Sequence, residues 1–138
     1  MDFNIVERIK ASKDRFINMT DNNQVNGSFD RYQSLIDETA IYPAAGTGSW
    51  IALAYVALGL GEAGELQGKL KKMMRDDDFI LTDEKRNAIL AELGDILWYV
   101  GRMAEELDVD LSDVAQANVD KLLDRKSRDV LKGSGDYR

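Results

Sequence analysis

The feature that most restricts the possible folds is the near absence of strand patterns and proline. Pro43 is the one proline among 138 residues. The rest is dominated by stretches rich in Ala, Leu, Glu, Lys and Met, without the alternation of β-branched residues expected of strands. We therefore predict an all-α chain. Its length and its hydrophobic fraction of 44% suit one compact domain with one core.

Apolar residues at helical spacing predict where the helices lie. The predicted helices cover about residues 3–18, 29–42, 50–74, 82–107 and 112–131. Ser49 or Thr47 can cap the helix after Pro43, while Thr82 and Ser112 can cap the last two helices. Because the links are short, we expect a four-helix bundle-like core with an extra N-terminal helical segment.

Charge and composition exclude several classes of function. Lys and Arg total 18 against 25 Asp and Glu, and a net charge of -7 disfavours a nucleic-acid groove. The absence of cysteine excludes disulfides and thiolate metal sites. Residues 1–4 lack a secretory pattern, and the apolar run 50–60 is far shorter than the ~20 residues that span a bilayer. We expect a cytoplasmic protein with neither nucleic-acid nor membrane partners.

Two acidic pairs are candidates for a functional site. The acid-x-x-acid pattern occurs at Glu62/Glu65, Glu92/Asp95, Glu105/Asp108 and Asp110/Asp113. Chance alone yields about four such pairs in a chain this acidic, so the spacing carries little information. Only the first two pairs lie inside apolar sequence. Residues three apart share one helix face, so we expect four carboxylates to converge between two helices.

Converging carboxylates need compensation by metal, protons or basic side chains. Carboxylate oxygens suit hard cations such as Mg²⁺ or Mn²⁺, and a carboxylate-bridged iron site is disfavoured because the chain contains no histidine. The alternative is a set of ordinary salt bridges. The basic residues available for it are Lys69, Lys71, Lys72 and Arg102.

Further residues suit a phosphorylated ligand, although each also suits a plain helix surface. The candidates are Lys69 and Lys72 on the first acidic helix, and Asn118, Lys121 and Arg125 on the last helix. Tyr99 lies four residues after Asp95, where its hydroxyl could bond a carboxylate. Glycines cluster beside the acids, which indicates close backbone approach, room for a ligand, or tight packing.

Several motifs in order resemble one family. They are Leu58-Gly-Leu-Gly-Glu-Ala-Gly-Glu65, Lys71-Lys72, Glu92-Leu-Gly-Asp-Ile-Leu-Trp-Tyr99, Asn118-x-x-Lys121-Leu122-x-x-Arg125 and Gly133-Ser-Gly-Asp-Tyr-Arg138. From about Tyr32 to Arg138 the chain resembles the MazG-like nucleoside triphosphate pyrophosphohydrolases of the all-α pyrophosphatase superfamily. Such proteins occur in bacteria and their viruses. Residues 1–30 match poorly, so we expect an N-terminal helical extension at 1–30 and a catalytic domain at 31–138.

The resemblance implies a reaction and a site. It implies cleavage of a (deoxy)nucleoside triphosphate to monophosphate and pyrophosphate, with Mg²⁺ held by Glu62, Glu65, Glu92 and Asp95. A metal-activated water would attack the α-phosphorus, with a carboxylate such as Glu65 taking its proton. Lys72, Lys121 and Arg125 match positions that hold phosphates. The preferred base stays open.

The resemblance also implies a homodimer or homotetramer whose sites are completed at the subunit interface. Tyr137 and Arg138 could then reach the site of a neighbouring subunit. Two rival functions remain. One is a helical interaction module whose acids are salt-bridged, and the other is a metal-dependent hydrolase of a different phosphorylated metabolite.

Overall fold

The computed structural model describes residues 28–133, which form five α-helices. They are α1 (Phe29–Asp37), α2 (Trp50–Gly59), α3 (Glu62–Asp76), α4 (Asp83–Glu106) and α5 (Leu111–Ser127). These helices confirm the all-α prediction. The helix predicted over residues 3–18 lies outside the described residues.

Helix α4 is the centre of the molecule. It contacts each of the other four helices, while α1 also contacts α5. The buried apolar side chains are few, namely Ile36, Tyr42, Ala52, Val56, Ala104 and Leu111. Across the described range, no helix is both long and apolar enough to cross a membrane. Much apolar surface is left exposed on the outer helices, α2 above all.

Side chains of α1 accept hydrogen bonds from the first turn of helix α5. The predicted cap Ser112 is not the N-cap residue of this helix. The cap residue is Asp110, whose side chain makes no capping hydrogen bond. The Leu111 N–H instead donates to Gln33 Oε1 at 2.7 Å, and the Ser112 N–H donates to Asp30 Oδ1 at 3.1 Å. Side chains of α1 thus satisfy donors that every helix leaves open at its first turn.

The prediction of one continuous helix over residues 50–74 is wrong. The helix is interrupted at Leu60 and Gly61, which separate α2 from α3. The Gly61 N–H donates to Leu58 O at 3.0 Å, which tightens the chain into a turn. Gly59 and Gly61 lie on either side of Leu60, and glycine disfavours a continuous helix. As a result Glu62 is the first residue of α3, and Glu65 lies in the same first turn.

A buried polar network fixes the loop between α1 and α2 to the end of α4. Glu106, only 4% exposed, accepts hydrogen bonds from the Tyr42 hydroxyl and from the N–H groups of Gly46 at 2.7 Å and Gly48 at 2.9 Å. Arg102 is fully buried and donates from Nε to Tyr42 Oη at 3.1 Å. The guanidinium also pairs with Asp37 at 2.8 Å.

Candidate active site

Three of the four predicted acids converge where α3 meets α4. Glu62, Glu92 and Asp95 each present a carboxylate oxygen, and these three oxygens all lie within 4.8 Å of one another. Glu62 and Glu92 are half-buried, whereas Asp95 is exposed. The acids therefore line an open face between two helices, and their desolvation is smaller than a fully buried cluster would suffer.

The break before α3 determines how the first pair is presented. Glu62 and Glu65 occupy the first turn of α3, where the helix dipole favours negative charge. Glu65 is exposed and is not among the three mutually close acids of the described chain. Its charge is nevertheless close enough to act on Glu62. Both acids of the first pair thus belong to one electrostatic cluster.

Repulsion within this cluster is visible at Glu62. Desolvation raises the pKa of Glu62, and the neighbouring charges of Glu92, Asp95 and Glu65 raise it further. A hydrogen bond with Glu92 acts in the same direction. Such a carboxylate gains from any positive charge placed beside it.

One ammonium group already lies in the cluster. Lys69 Nζ is 3.1 Å from Glu92 Oε1, and the Glu92 side chain is 13% exposed. This pair agrees with the salt-bridge alternative for one acid. Arg102, another predicted partner, pairs with Asp37 and Glu106 instead. Lys72 acts on Asp76, whose pKa it helps Arg75 to lower.

A pocket of about 300 Å³ opens beside two of the acids. Its lining residues are Thr39, Glu62, Asp95, Trp98 and Tyr99. Burial raises the pKa of the Tyr99 phenol, as do Tyr55, Glu62 and Asp95, so the phenol stays protonated. Trp98 Nε1 donates to Thr39 Oγ1 at 2.7 Å.

Sequence reasoning missed two residues of α1 and its following turn that reach this region. One is Thr39, which lines the pocket. The other is Tyr32, whose pKa is raised by burial and by the charge of Asp95. Neither residue belongs to a motif, so only the packing of α1 on α4 reveals them.

The predicted residues of α5 lie elsewhere in this chain. Asn118 and Lys121 line a separate, largely apolar groove of about 670 Å³ together with Leu97 and Val100. Arg125 is 5% exposed. Arg138 lies outside the described residues. Within one copy of the described chain, the acids and the α5 residues are therefore not brought into one pocket.

The donor set at the acids fits a hard divalent cation. Three convergent carboxylates offer only oxygen, which Mg²⁺ and Mn²⁺ prefer. Among the described residues, Lys69 supplies one positive charge against these three carboxylates. A divalent cation there would relieve the repulsion that raises the pKa of Glu62.

Comparisons with known proteins identify the family of this chain. The MazG nucleotide pyrophosphohydrolase domain matches residues 52–129, a range that contains all four acids. Gene 37 protein of Mycobacterium phage L5 is 52% identical over 111 residues, covering 79% of this chain and 97% of that protein. No solved structure matches the chain. The chain therefore belongs to the MazG nucleotide pyrophosphohydrolase domain family.

Proposed function

We propose that this chain is a Mg²⁺-dependent pyrophosphohydrolase of nucleoside triphosphates, converting a (d)NTP to the (d)NMP and pyrophosphate. The observation that carries the proposal is the convergence of the Glu62, Glu92 and Asp95 carboxylates within 4.8 Å at an open pocket. Membership of the MazG family supports the general class of reaction. The metal, the substrate and the residue roles are our proposal.

Each acid has a proposed role. Glu62, Glu92 and Asp95, with Glu65 from the same turn of α3, hold the cation. Bound there, Mg²⁺ or Mn²⁺ supplies Lewis-acid chemistry that activates water and offsets phosphate charge. Glu65, exposed at the rim, accepts the proton of the attacking water.

The bond changes are those of hydrolysis at the α-phosphorus. The water oxygen bonds to the α-phosphorus, the bond from that phosphorus to the α–β bridging oxygen breaks, and pyrophosphate leaves with the electron pair. We assign phosphate or nucleoside contacts to side chains of α3, α4 and α5, and to Arg138, which lies outside the described residues. They are Lys69, Lys72, Tyr99, Asn118, Lys121, Arg125 and Arg138. Such contacts supply positioning and charge neutralisation, which phosphoryl transfer mainly requires.

The decisive experiment is an incubation with a panel of (deoxy)nucleoside triphosphates and Mg²⁺, with products separated by chromatography. We expect monophosphate and pyrophosphate in equal amounts. Diphosphate with phosphate would refute attack at the α-phosphorus. Turnover of another phosphorylated metabolite, but of no nucleotide, would favour the rival hydrolase.

Metal binding can be tested apart from turnover. In calorimetric titrations with Mn²⁺, Glu62→Gln and Asp95→Asn should each lose at least about tenfold in affinity, because each removes a charged ligand. Asp113→Asn is the matched control, since this exposed acid belongs to an acid-x-x-acid pair on α5. Affinity that is equal in all four proteins would refute the metal site and favour a salt-bridged interaction module.

We also propose that the chain forms a homodimer or homotetramer. The exposed apolar surface of α2 supports this proposal. This helix contains no charged residue, yet Trp50 is 86% exposed, Leu58 81% and Ile51 63%. Ile41, at 94%, exposes a further apolar side chain in the loop before α2. A helix that is apolar on every side is normally buried on every side. A second copy of this chain can cover the open side.

Assembly bears on the separation of the proposed substrate residues. A neighbouring copy can bring its α5 residues to the acids of the first copy, which one copy of the chain does not do. The unit that assembles is, in our proposal, the catalytic domain of residues 31–138, with residues 1–30 as an extension.

A further inference from the structure

A close contact joins the last turn of α2 to the face of α4 that carries the acids. A Cβ atom built on Gly59 would lie 2.0 Å from Cε1 of Tyr99 and 2.3 Å from both Cδ1 and Cζ. Real Cβ atoms do not come so close to a ring. The edge of the Tyr99 ring therefore occupies the space that any side chain at position 59 would need.

This contact is unlike those of the neighbouring glycines. A Cβ built on Gly64, Gly68 or Gly94 would meet nothing within 4 Å. No positive φ explains the glycine at position 59 either, since its backbone lies outside the left-handed region. Space for the Tyr99 ring is what requires glycine there.

The Tyr99 ring also contacts a second aromatic side chain. It meets Trp98 edge to face, with ring centroids 4.9 Å apart and planes at 87°. The Trp98 indole is held in turn by the 2.7 Å hydrogen bond to Thr39. Contacts with this indole and with the backbone of α2 limit where the ring can move.

The position of this contact links it to the acids. Gly59 precedes Glu62 by three residues, across the break that begins α3. Tyr99 follows Asp95 by four residues on the same face of α4. A shift of the ring or of the end of α2 would change the distance from Glu62 to the acids of α4.

We propose that Tyr99 and Gly59 are positioning residues, whose contact sets the spacing of the Glu62 carboxylate from those of Glu92 and Asp95. The inference rests on the proposed metal site and deepens it. Tyr99 acts here through its ring, separately from any bond that its hydroxyl makes to substrate. Metal ligands must be held within a fraction of an ångström, so a small displacement is enough to weaken binding.

The test is a Mn²⁺ titration, by calorimetry, of the wild-type chain and four variants. They are Gly59→Ala, Gly68→Ala, Tyr99→Leu and the double variant Gly59→Ala/Tyr99→Leu. We expect Gly59→Ala to lose at least tenfold in Mn²⁺ affinity and Gly68→Ala to stay within twofold of wild type. In the Tyr99→Leu background, alanine at position 59 should cost less than threefold, because the clashing ring is gone.

Thermal unfolding of the metal-free proteins separates positioning from general destabilisation. If Gly59→Ala does not fold, restored folding and Mn²⁺ binding in the double variant would support the contact, and failure of the double variant would overturn it. Equal affinity of Gly59→Ala and Gly68→Ala overturns the positioning role. So does an equal loss from Gly59→Ala with and without the ring. Wild-type protein that binds no Mn²⁺ rejects the proposed metal site and this inference together.

Discussion

At the scale of single residues, the charges around Glu92 determine how strongly the proposed site would bind a cation before substrate arrives. The Lys69 ammonium lies 3.1 Å from this carboxylate, while carboxylate oxygens of Glu62 and Asp95 lie within 4.8 Å of an oxygen of Glu92. A cation entering the cluster meets a ligand that is already paired. We therefore predict that Lys69 competes with metal in the substrate-free protein, and that binding of the cation releases it for a phosphate.

Replacement of Lys69 by methionine should separate these two effects. We expect the Mg²⁺ affinity of the substrate-free Lys69→Met protein to rise about threefold to tenfold, because removing a nearby positive charge favours a cation. The KM for the nucleoside triphosphate should rise, because a phosphate contact is lost. Calorimetry and steady-state kinetics measure the two quantities.

Lys71→Met serves as the control for this experiment, since it removes an equal charge from an exposed position on the same helix. Its metal affinity should stay within about twofold of wild type, as expected for a screened surface charge. A Mg²⁺ affinity of Lys69→Met at or below the wild-type value would contradict the competition between the ammonium and the cation.

At the scale of the elements, one buried carboxylate ties the loop before α2 to the end of α4. Burial alone would raise the pKa of Glu106, but hydrogen bonds from Tyr42, Gly46 and Gly48, together with the charge of Arg102, lower it on balance. The folded chain thus binds the Glu106 proton more weakly than the unfolded chain. Stability from this group is present above the unfolded value of about 4.3 and is lost as pH falls through the folded value.

The Glu106→Gln variant should reveal that stability. At pH 7 we expect the free energy of unfolding to fall by about 2–3 kcal/mol, since hydrogen bonds to a charged group are weakened around a buried arginine. At a pH well below the unfolded value of about 4.3, once it has also passed the lower folded value, wild type should converge on the variant, because its own Glu106 becomes neutral. Urea unfolding followed by circular dichroism at both pH values measures the difference.

Glu105→Gln is the matched control, because the neighbouring Glu105 is exposed and accepts a side-chain hydrogen bond from Gln33 at 2.9 Å. Its effect at pH 7 should stay below about 1 kcal/mol. A difference between wild type and Glu106→Gln that stays constant from pH 7 to low pH would show that the charge of Glu106 contributes nothing.

At the scale of the whole molecule, the described chain has a small core and leaves an apolar surface of α2 exposed. Only six apolar residues of the described chain are classed as buried, while large side chains on α2 and in the loop before it face outwards. Apolar surface exposed to water carries a cost that association removes. This exposed apolar surface supports the proposed assembly.

A polar α2 surface should weaken that assembly. We expect wild-type protein to sediment as a dimer or tetramer, and the double variant Trp50→Gln/Ile51→Gln to shift towards the monomer at equal concentration. Both side chains are mostly exposed in the protomer, so the fold should be retained. Sedimentation velocity gives the masses, and circular dichroism checks the helix content.

Phe79→Gln provides the comparison, since Phe79 is 66% exposed in the turn between α3 and α4. This variant should keep the wild-type mass. Wild-type protein that sediments with the mass of a single 15.5 kDa chain would refute the proposed assembly.

Residue patterns alone predicted the helical class, the approximate limits of α4 and the positions of the acidic pairs. These predictions rest on local properties, namely helical periodicity, capping at Ser49 and Thr82, and the type of each residue. Such properties can be recognised without knowing which residues lie close together in the fold. The sequence also named the family, through motifs whose order needs no structure.

The packing of the helices, and not the residue patterns, shows which of these residues contact each other. The convergence of Glu62 with Glu92 and Asp95 depends on the break between α2 and α3, and the salt bridge of Lys69 depends on the approach of α3 to α4. Arg102, equally suited by sequence to neutralise those acids, pairs with Asp37 and Glu106 instead. The physical reason is that packing joins residues far apart in the chain, as with Gly59 and Tyr99, and no local pattern records such contacts.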